Sequence, residues 1–319
     1  LRFLILSIIL FLASYLNAQV YERYLVEEVE ITYPKKIEVE WANDVFFQTD
    51  RYFTNGLALE YYSQGLVRFG IANLLFDPMS ESGPIYSLTL THDIFTPNNV
   101  FGEPALSDRP YAGVLMLGLK ATHFSKAKQY RFYSEIQAGL LGEYAGGRFV
   151  QNGIHVLLPA SEPIPGWAYQ IDHDLCAQYI VSLEKLAFKS RWVGADLLAQ
   201  GRLGLPYTDF SGGGRLRLGI SPDYYSPDHL LSKNKNYLYL IAGFNLRTVF
   251  YDATLQGGAI NDKNPHTIVN TNPLIGEFKA GIAARFANYT LEMGAQKFTA
   301  KFQGALAHKW AYFKLGILF

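Results

Sequence analysis

A chain of 319 residues with 28 Lys and Arg against 28 Asp and Glu carries no formal net charge, which removes the basic excess that nucleic-acid binding needs. Cys176 is the single cysteine, so an internal disulfide and a Cys-x-x-Cys metal site are both excluded. Aromatic residues are abundant, with 22 Tyr and 22 Phe.

The chain opens on "LRFLILSIILFLASYLNAQ", with Arg2, an apolar run from Phe3 to Tyr15 and small residues near Ala18. That pattern predicts a secretory signal peptide over residues 1–18, cleaved near Ala18–Gln19; the apolar core is short for a bilayer span. A short anchor retained uncleaved is the alternative. Residues 19–319 then form one exported domain, since no linker divides them.

Beyond this segment no stretch approaches the ~20 consecutive apolar residues of a membrane helix. Two-residue alternation dominates instead. In "EFKAGIAARF", Phe278, Ala280, Ile282, Ala284 and Phe286 share one face, opposite Glu277, Lys279, Gly281 and Arg285. Leu216, Leu218 and Ile220 likewise oppose Arg215, Arg217 and Gly219, and Leu240, Phe244 and Leu246 oppose Gly243, Asn245 and Arg247. Strands are expected near 36–47, 53–64, 85–96, 111–124, 130–142, 172–187, 190–205, 209–220, 236–250, 276–286, 288–299 and 308–319.

A soluble sandwich or lipocalin-like barrel also alternates, with its apolar face turned inward. Charges and glycines on the opposing face of strand after strand, with aromatics clustered at strand ends, favour the inverted case. The predicted class is all-β: a closed antiparallel transmembrane β-barrel of about twelve strands, with no edge left unpaired in lipid. If the first strand starts in the periplasm, connections after odd strands are extracellular. The three densest polar stretches, around "NDVFFQTDRYFTNG", "TPNNVFGEPALSDRPYAG" and "GEYAGGRFVQNGIHVLLPASEPIPGWAYQ", then converge on one rim.

Asn43 and Asp44 end the first strand and Thr54 begins the second. Alternation puts Asp44 with Glu38 and Glu40, and Thr54 with Gly56 and Glu60, leaving Asn43 on the opposite side unless the strand bulges there. Their oxygens suit a hard cation such as calcium, or else they close the hairpin as an Asx turn. Asp108, Arg109 and Tyr111 in "SDRPYAG" form a rigid corner; Arg109 could brace it or meet a substrate phosphate.

"GRFVQNGIHVLL" predicts a short loop helix, with Phe149, Gly153, Val156 and Leu157 at helical spacing and Gln151 and His155 one turn apart. Gly153 weakens it, so it needs packing against the barrel. Glu162, "PIPG", Trp167 and Gln170 follow. His155 could act as a base, its basicity raised by Glu162 or Asp44, or be an idle loop histidine. No Gly-x-Ser-x-Gly elbow, His-Glu-x-x-His or P-loop is present, so a serine nucleophile has no support. Histidine-activated water with a cation holding the oxyanion fits what remains.

The segments "ND", "TDRYFTNG", "DRPYAG", "QNGIH" and "GWAYQ", in this order across residues 40–170, resemble the LpxR family of outer-membrane lipid A deacylases. The resemblance implies a twelve-stranded barrel, Ca²⁺ as cofactor and hydrolysis of the 3′-linked acyloxyacyl group of lipid A. It implies His155 as the base preceded by Gln151, Asn43 and Asp44 at the cation and oxyanion site, Thr54 in the family's Tyr-Thr-x-Gly segment (with Phe53 for the tyrosine), and Glu162 across a one-residue gap. The lysine of the family's second loop has no counterpart in "NNVFGEPALS". A monomer in the bacterial outer membrane is expected, its site facing the extracellular side and its partners lipopolysaccharide and outer-membrane lipids. A phospholipase of the same membrane and a non-enzymatic pore or structural barrel are the competing readings.

Overall fold

The computed structural model describes residues 34–78, 83–100, 105–157, 164–221, 223–233, 235–261 and 266–319, with the backbone alone for 154–157. The predicted signal peptide and Glu162 lie outside the described residues. Twelve strands close into a single antiparallel barrel: β1 (Lys36–Asn43), β2 (Tyr52–Tyr62), β3 (Ile85–Thr96), β4 (Ala112–Ser125), β5 (Tyr130–Leu141), β6 (Asp174–Lys189), β7 (Val193–Gly204), β8 (Tyr207–Ile220), β9 (Tyr237–Asp252), β10 (Leu274–Phe286), β11 (Tyr289–Phe298) and β12 (His308–Leu318). Each strand pairs with its sequence neighbours, and β1 meets β12 to close the ring. Among the described residues three α-helices interrupt the connections: α1 (Gly147–Leu157), α2 (Pro227–Leu231) and α3 (Ala253–Gln256).

Every expected strand is present. The largest boundary difference is at β1, which stops at Asn43 rather than 47. The Asn43 side chain ends it: Oδ1 accepts a hydrogen bond from the Val45 amide at 2.7 Å, and the chain turns into a 3-10 helix, Val45–Phe47.

Alternation sorts the side chains as an inverted barrel requires. Leu216, Leu240, Phe244, Phe278 and Leu315 are exposed on the outer wall, while Glu38, Asp196, Arg217, Glu277 and Arg285 are buried within. Several of these interior charges are held in ion pairs. Lys120 Nζ lies 2.9 Å from Glu60, Arg215 reaches Glu184 at 2.7 Å and Asp196 at 3.2 Å, and Arg247 reaches Asp209 at 2.7 Å. A charge removed from water needs such partners, because an unpaired one is strongly destabilising.

The upper rim is the end where β1 finishes. There α3 places Ala253 in an apolar cluster with Phe95, Val114 and Leu141. Toward the lower rim, residues 223–233 turn into the lumen. Tyr224 lies under the Arg217 guanidinium, 3.6 Å to the ring centroid, and Arg285 donates to the carbonyl oxygens of Leu230, Ser232 and Asp228 at 2.8, 3.0 and 3.1 Å.

The connections after β2, β3 and β5 lie against the outside of the wall. Ile94, on the outer face of β3, has no exposed surface because Val100, Tyr111, Ile164 and Trp167 cover it. Lower on the same wall, Leu66, Ala72 and Leu75 cover Tyr86, Leu119 and Ala121.

Candidate active site

The β1–β2 hairpin forms one side of the site. β1 holds its register through Asn43 against both neighbours, with Asn43 opposite Asn55. Asn43 therefore follows Trp41 onto the outer face, where Asn55 Oδ1 accepts from the Trp41 indole at 2.9 Å and the Asn43 amide at 3.3 Å. The bulge falls on β2 instead, between Phe53 and Asn55. It gives Phe53 the inward place expected for Thr54: the Phe53 ring lies 5.6 Å from Phe95 and 4.8 Å from Trp310. Thr54 is the extra residue, and its hydroxyl meets that of Thr96 at 2.6 Å.

Asp44 is 1 % exposed and ties the hairpin loop back on itself, accepting from the Thr49 hydroxyl at 2.6 Å and the Arg51 amide at 3.1 Å. Burial pushes its carboxyl up to about 7, with the nearby Asp50 carboxylate adding to the rise against those two hydrogen bonds. A carboxylate in this position is short of positive charge.

The other side is α1, which lies on the outer wall. A Cβ on Gly147 would come within 2.7 Å of the Trp167 ring and 3.2 Å of Gly113 Cα on β4, so glycine at both positions allows the helix to touch the sheet. The expected apolar stripe is displaced. Phe149 is 83 % exposed and Gly153 has open space around it, whereas Gly147 and Gln151 are buried and Val150 packs against the cluster over Ile94. Positions 147, 150 and 151 are the face turned to the wall, a stripe offset from the one read in sequence because backbone contact at Gly147 sets the helix rotation.

Gln151 joins the two sides. Trp167, 1 % exposed, donates its indole N–H to Gln151 Oε1 at 2.8 Å, and Gln151 Nε2 donates to Asp50 Oδ1 at 3.2 Å. Tyr111 packs against Trp167 with ring centroids 5.1 Å apart and the planes tilted by 49°, and burial raises its phenol. Asn152 Oδ1 accepts from the Ile164 amide at 3.0 Å, fastening the end of the loop to the helix. His155 lies one turn beyond Gln151 in α1; its side chain is outside the described residues.

Asp108 and Arg109 stand apart from this group. Asp108 accepts from the amides of Asn98 and Arg109 at 2.7 and 2.8 Å, and its carbonyl oxygen meets His266 Nε2 at 2.7 Å. Arg109 is buried over the Phe95 ring, 4.1 Å to its centroid, and donates to the Thr254 hydroxyl. Burial lowers its guanidinium against the pull of Asp252. Both residues brace the upper rim; the guanidinium is spent on α3, away from the outer wall. Gln170 follows the 3-10 helix that carries Trp167, and its Oε1 is buried without a hydrogen-bond partner.

Sequence reasoning passed over Asp50 and Asn55, although both stand in "TDRYFTNG". Their signal is visible only with register: Asn55 is the residue opposite Asn43, and Asp50 is the hairpin carboxylate nearest α1. As donors for a hard cation, Asp44, Asp50, Asn43 and Thr54 supply carboxylate, amide and hydroxyl oxygens, the type that calcium takes. Among the described residues no three His, Cys, Asp or Glu side chains gather into a metal cluster, so such an ion would draw on neutral oxygens as well.

The family model of outer membrane protein LpxR matches residues 4–319. Among solved structures, LpxR from Salmonella typhimurium is similar with a TM-score of 0.71 at 21% identity, over 89% of this chain and 100% of that one. The β-domain of the Bordetella autotransporter BrkA follows with a TM-score of 0.47 at 11% identity, over 90% and 100% of the two chains. A search of curated protein sequences returns no match.

Proposed function

The chain belongs to the family of outer membrane protein LpxR, and from that premise we propose that it is a lipid A deacylase hydrolysing the 3′-linked acyloxyacyl ester with water activated by His155. The observation that carries the reading is the Trp167–Gln151–Asp50 chain of hydrogen bonds, which fixes α1 on the lipid side of the wall beside the β1–β2 hairpin. A site on that side is reached by lateral diffusion of a lipid, with no passage through the lumen.

In this mechanism His155, one turn along α1 from the anchored Gln151, takes the proton from the attacking water; neutral imidazole suits that step near pH 7. Glu162, assigned through the family resemblance, would raise the basicity of that imidazole. Gln151 holds the helix at the hairpin, and the Asn43 amide and Thr54 hydroxyl face the ester oxygen as charge develops on it. A calcium ion bound by Asp44 and Asn43 would supply further stabilisation of the oxyanion and neutralise the Asp44 carboxylate. The site faces the extracellular side, where lipid A is carried, and the protein acts as a monomer.

Purified protein incubated with lipid A, with and without a chelator, tests this. Fatty acid released by the wild type and abolished by His155→Ala supports the reading. Equal release by His155→Ala removes the assigned base, and release from phospholipid but not lipid A replaces the substrate.

A further inference from the structure

Residues 63–78 leave the lower end of β2 and climb the outer wall through two 3-10 helices, Gln64–Arg68 and Gly70–Leu74. Irregular backbone at membrane depth persists only where its polar groups find partners in the protein, and here the wall supplies them. The Tyr179 hydroxyl, on the outer face of β6, accepts from the Phe76 amide at 2.8 Å and donates to the Leu74 carbonyl at 3.1 Å. Ser134, on the outer face of β5, donates to the Phe76 carbonyl at 3.1 Å. His123 on β4 lies 3.4 Å from the Asp77 carboxylate. Polar residues on a lipid-facing wall are costly unless matched, and these are matched by one segment. Its other side exposes Val67, Phe69, Ile71, Leu74 and Phe76, which continue the apolar outer surface of the strands.

This segment and α1 stand on the same strands, one above the other. Gly113, against which α1 rests, and Leu119, which the segment covers, are six positions apart on β4. That is about 20 Å along the strand at ~3.3 Å per residue, and about 15 Å of depth at a tilt of roughly 40°. Half of the ~30 Å hydrocarbon core has the same depth. Between the two lies a bare apolar shelf: Leu90, Leu117 and Ala138 are partners in register across β3, β4 and β5, and all three are exposed.

We propose that residues 63–78 form a ledge at the middle of the bilayer on which the acyl chain of the substrate ends, so that the distance from α1 to the ledge selects the length of chain released. The occupant of the shelf is a saturated lipid acyl chain, argued from the continuity of the shelf with the bare lipid-facing wall beside it, where Leu59 of β2 is paired with Leu90 and exposed. The inference rests on the deacylase reading.

The test uses full-length protein in bilayers containing lipid A species that differ in the length of the 3′-linked chain, with released fatty acids resolved by mass spectrometry. Wild type is expected to show an optimum length. Leu117→Trp, which fills the shelf, moves it to shorter chains, and Tyr179→Phe combined with Ser134→Ala, which loosens the ledge, raises release of long relative to short chains by roughly tenfold, the scale of discrimination that methylene fit provides. The long-to-short ratio is read within each variant, so poor folding does not mimic the effect. Unchanged ratios in both variants overturn the ledge while leaving the deacylase intact; no release by wild type from any species overturns the deacylase reading itself. Leu74→Trp reports depth independently of turnover: strongest quenching by lipids brominated near the chain ends supports the ledge, and strongest quenching by lipids brominated near the headgroup overturns it.

Discussion

Asp44 and Gln151 carry the two most informative contacts at the scale of single residues. Asp44 ionises at about 7 in the folded protein, against ~3.9 for an unfolded aspartate. Between those values the folded state holds the extra proton, so the stability it contributes is fully present below about pH 4 and is lost as pH rises through about 7. Denaturant midpoints measured from pH 4 to 8 are expected to fall across that window in the wild type and to flatten in Asp44→Asn. Calcium, if Asp44 is a ligand, raises the midpoint more at pH 8 than at pH 5. Gln151→Ala leaves the buried Trp167 indole N–H without its acceptor, a cost of about 1–3 kcal/mol. Its expected effect is greater protease sensitivity of residues 142–171 and a sharp fall in fatty-acid release, with the barrel still folded on a heat-modifiability gel.

Elements show which parts of the molecule a sequence reader can see. The strands were legible because lipid on one side and paired charges on the other impose a strict period of two, as in Phe278 against Lys279 or Leu216 against Arg217. What alternation cannot encode is a slip in the period, and the bulge at Thr54 is one: it moved Phe53 inward and made the sequence-based face of Thr54 wrong. The helix was legible as a helix, but its rotation was not, because Gly147 touches Gly113 and Trp167 through backbone rather than through an apolar side chain. Gly147→Val is therefore expected to lift α1 from the wall, as an overpacked contact costing about 1–3 kcal/mol, and to abolish lipid hydrolysis while strand content by circular dichroism stays the same. Asp196→Ala acts on the opposite face of the wall. It leaves Arg215 and Arg217 without their shared carboxylate, and about 3–5 kcal/mol of stability is expected to go with it in guanidinium titrations.

The whole molecule is a barrel filled at both ends, by α3 and Arg109 above and by residues 223–233 below, so reconstituted protein is expected to give no steady open-channel conductance in planar bilayers. A persistent large conductance would contradict that filling. Sequence alternation announced a wet interior correctly but not its two stoppers, since the inward turn at Tyr224 depends on partners from two separate strands, Arg131 on β5 and Arg215 and Arg217 on β8. The outer surface, by contrast, is unequal around its circumference: β3 to β6 carry the wall-hugging connections that follow β2, β3 and β5, while β8 to β10 show Leu216, Leu218, Leu240, Phe244 and Phe278 bare. In a membrane such a protein has a front and a back. Encounters are two-dimensional, and a lipid that collides with the bare side must travel round the circumference, or wait for the barrel to spin about the membrane normal, before it meets α1. Neighbouring proteins crowded against the back would leave turnover untouched, whereas a neighbour at the front would act as a competitive inhibitor without entering any pocket.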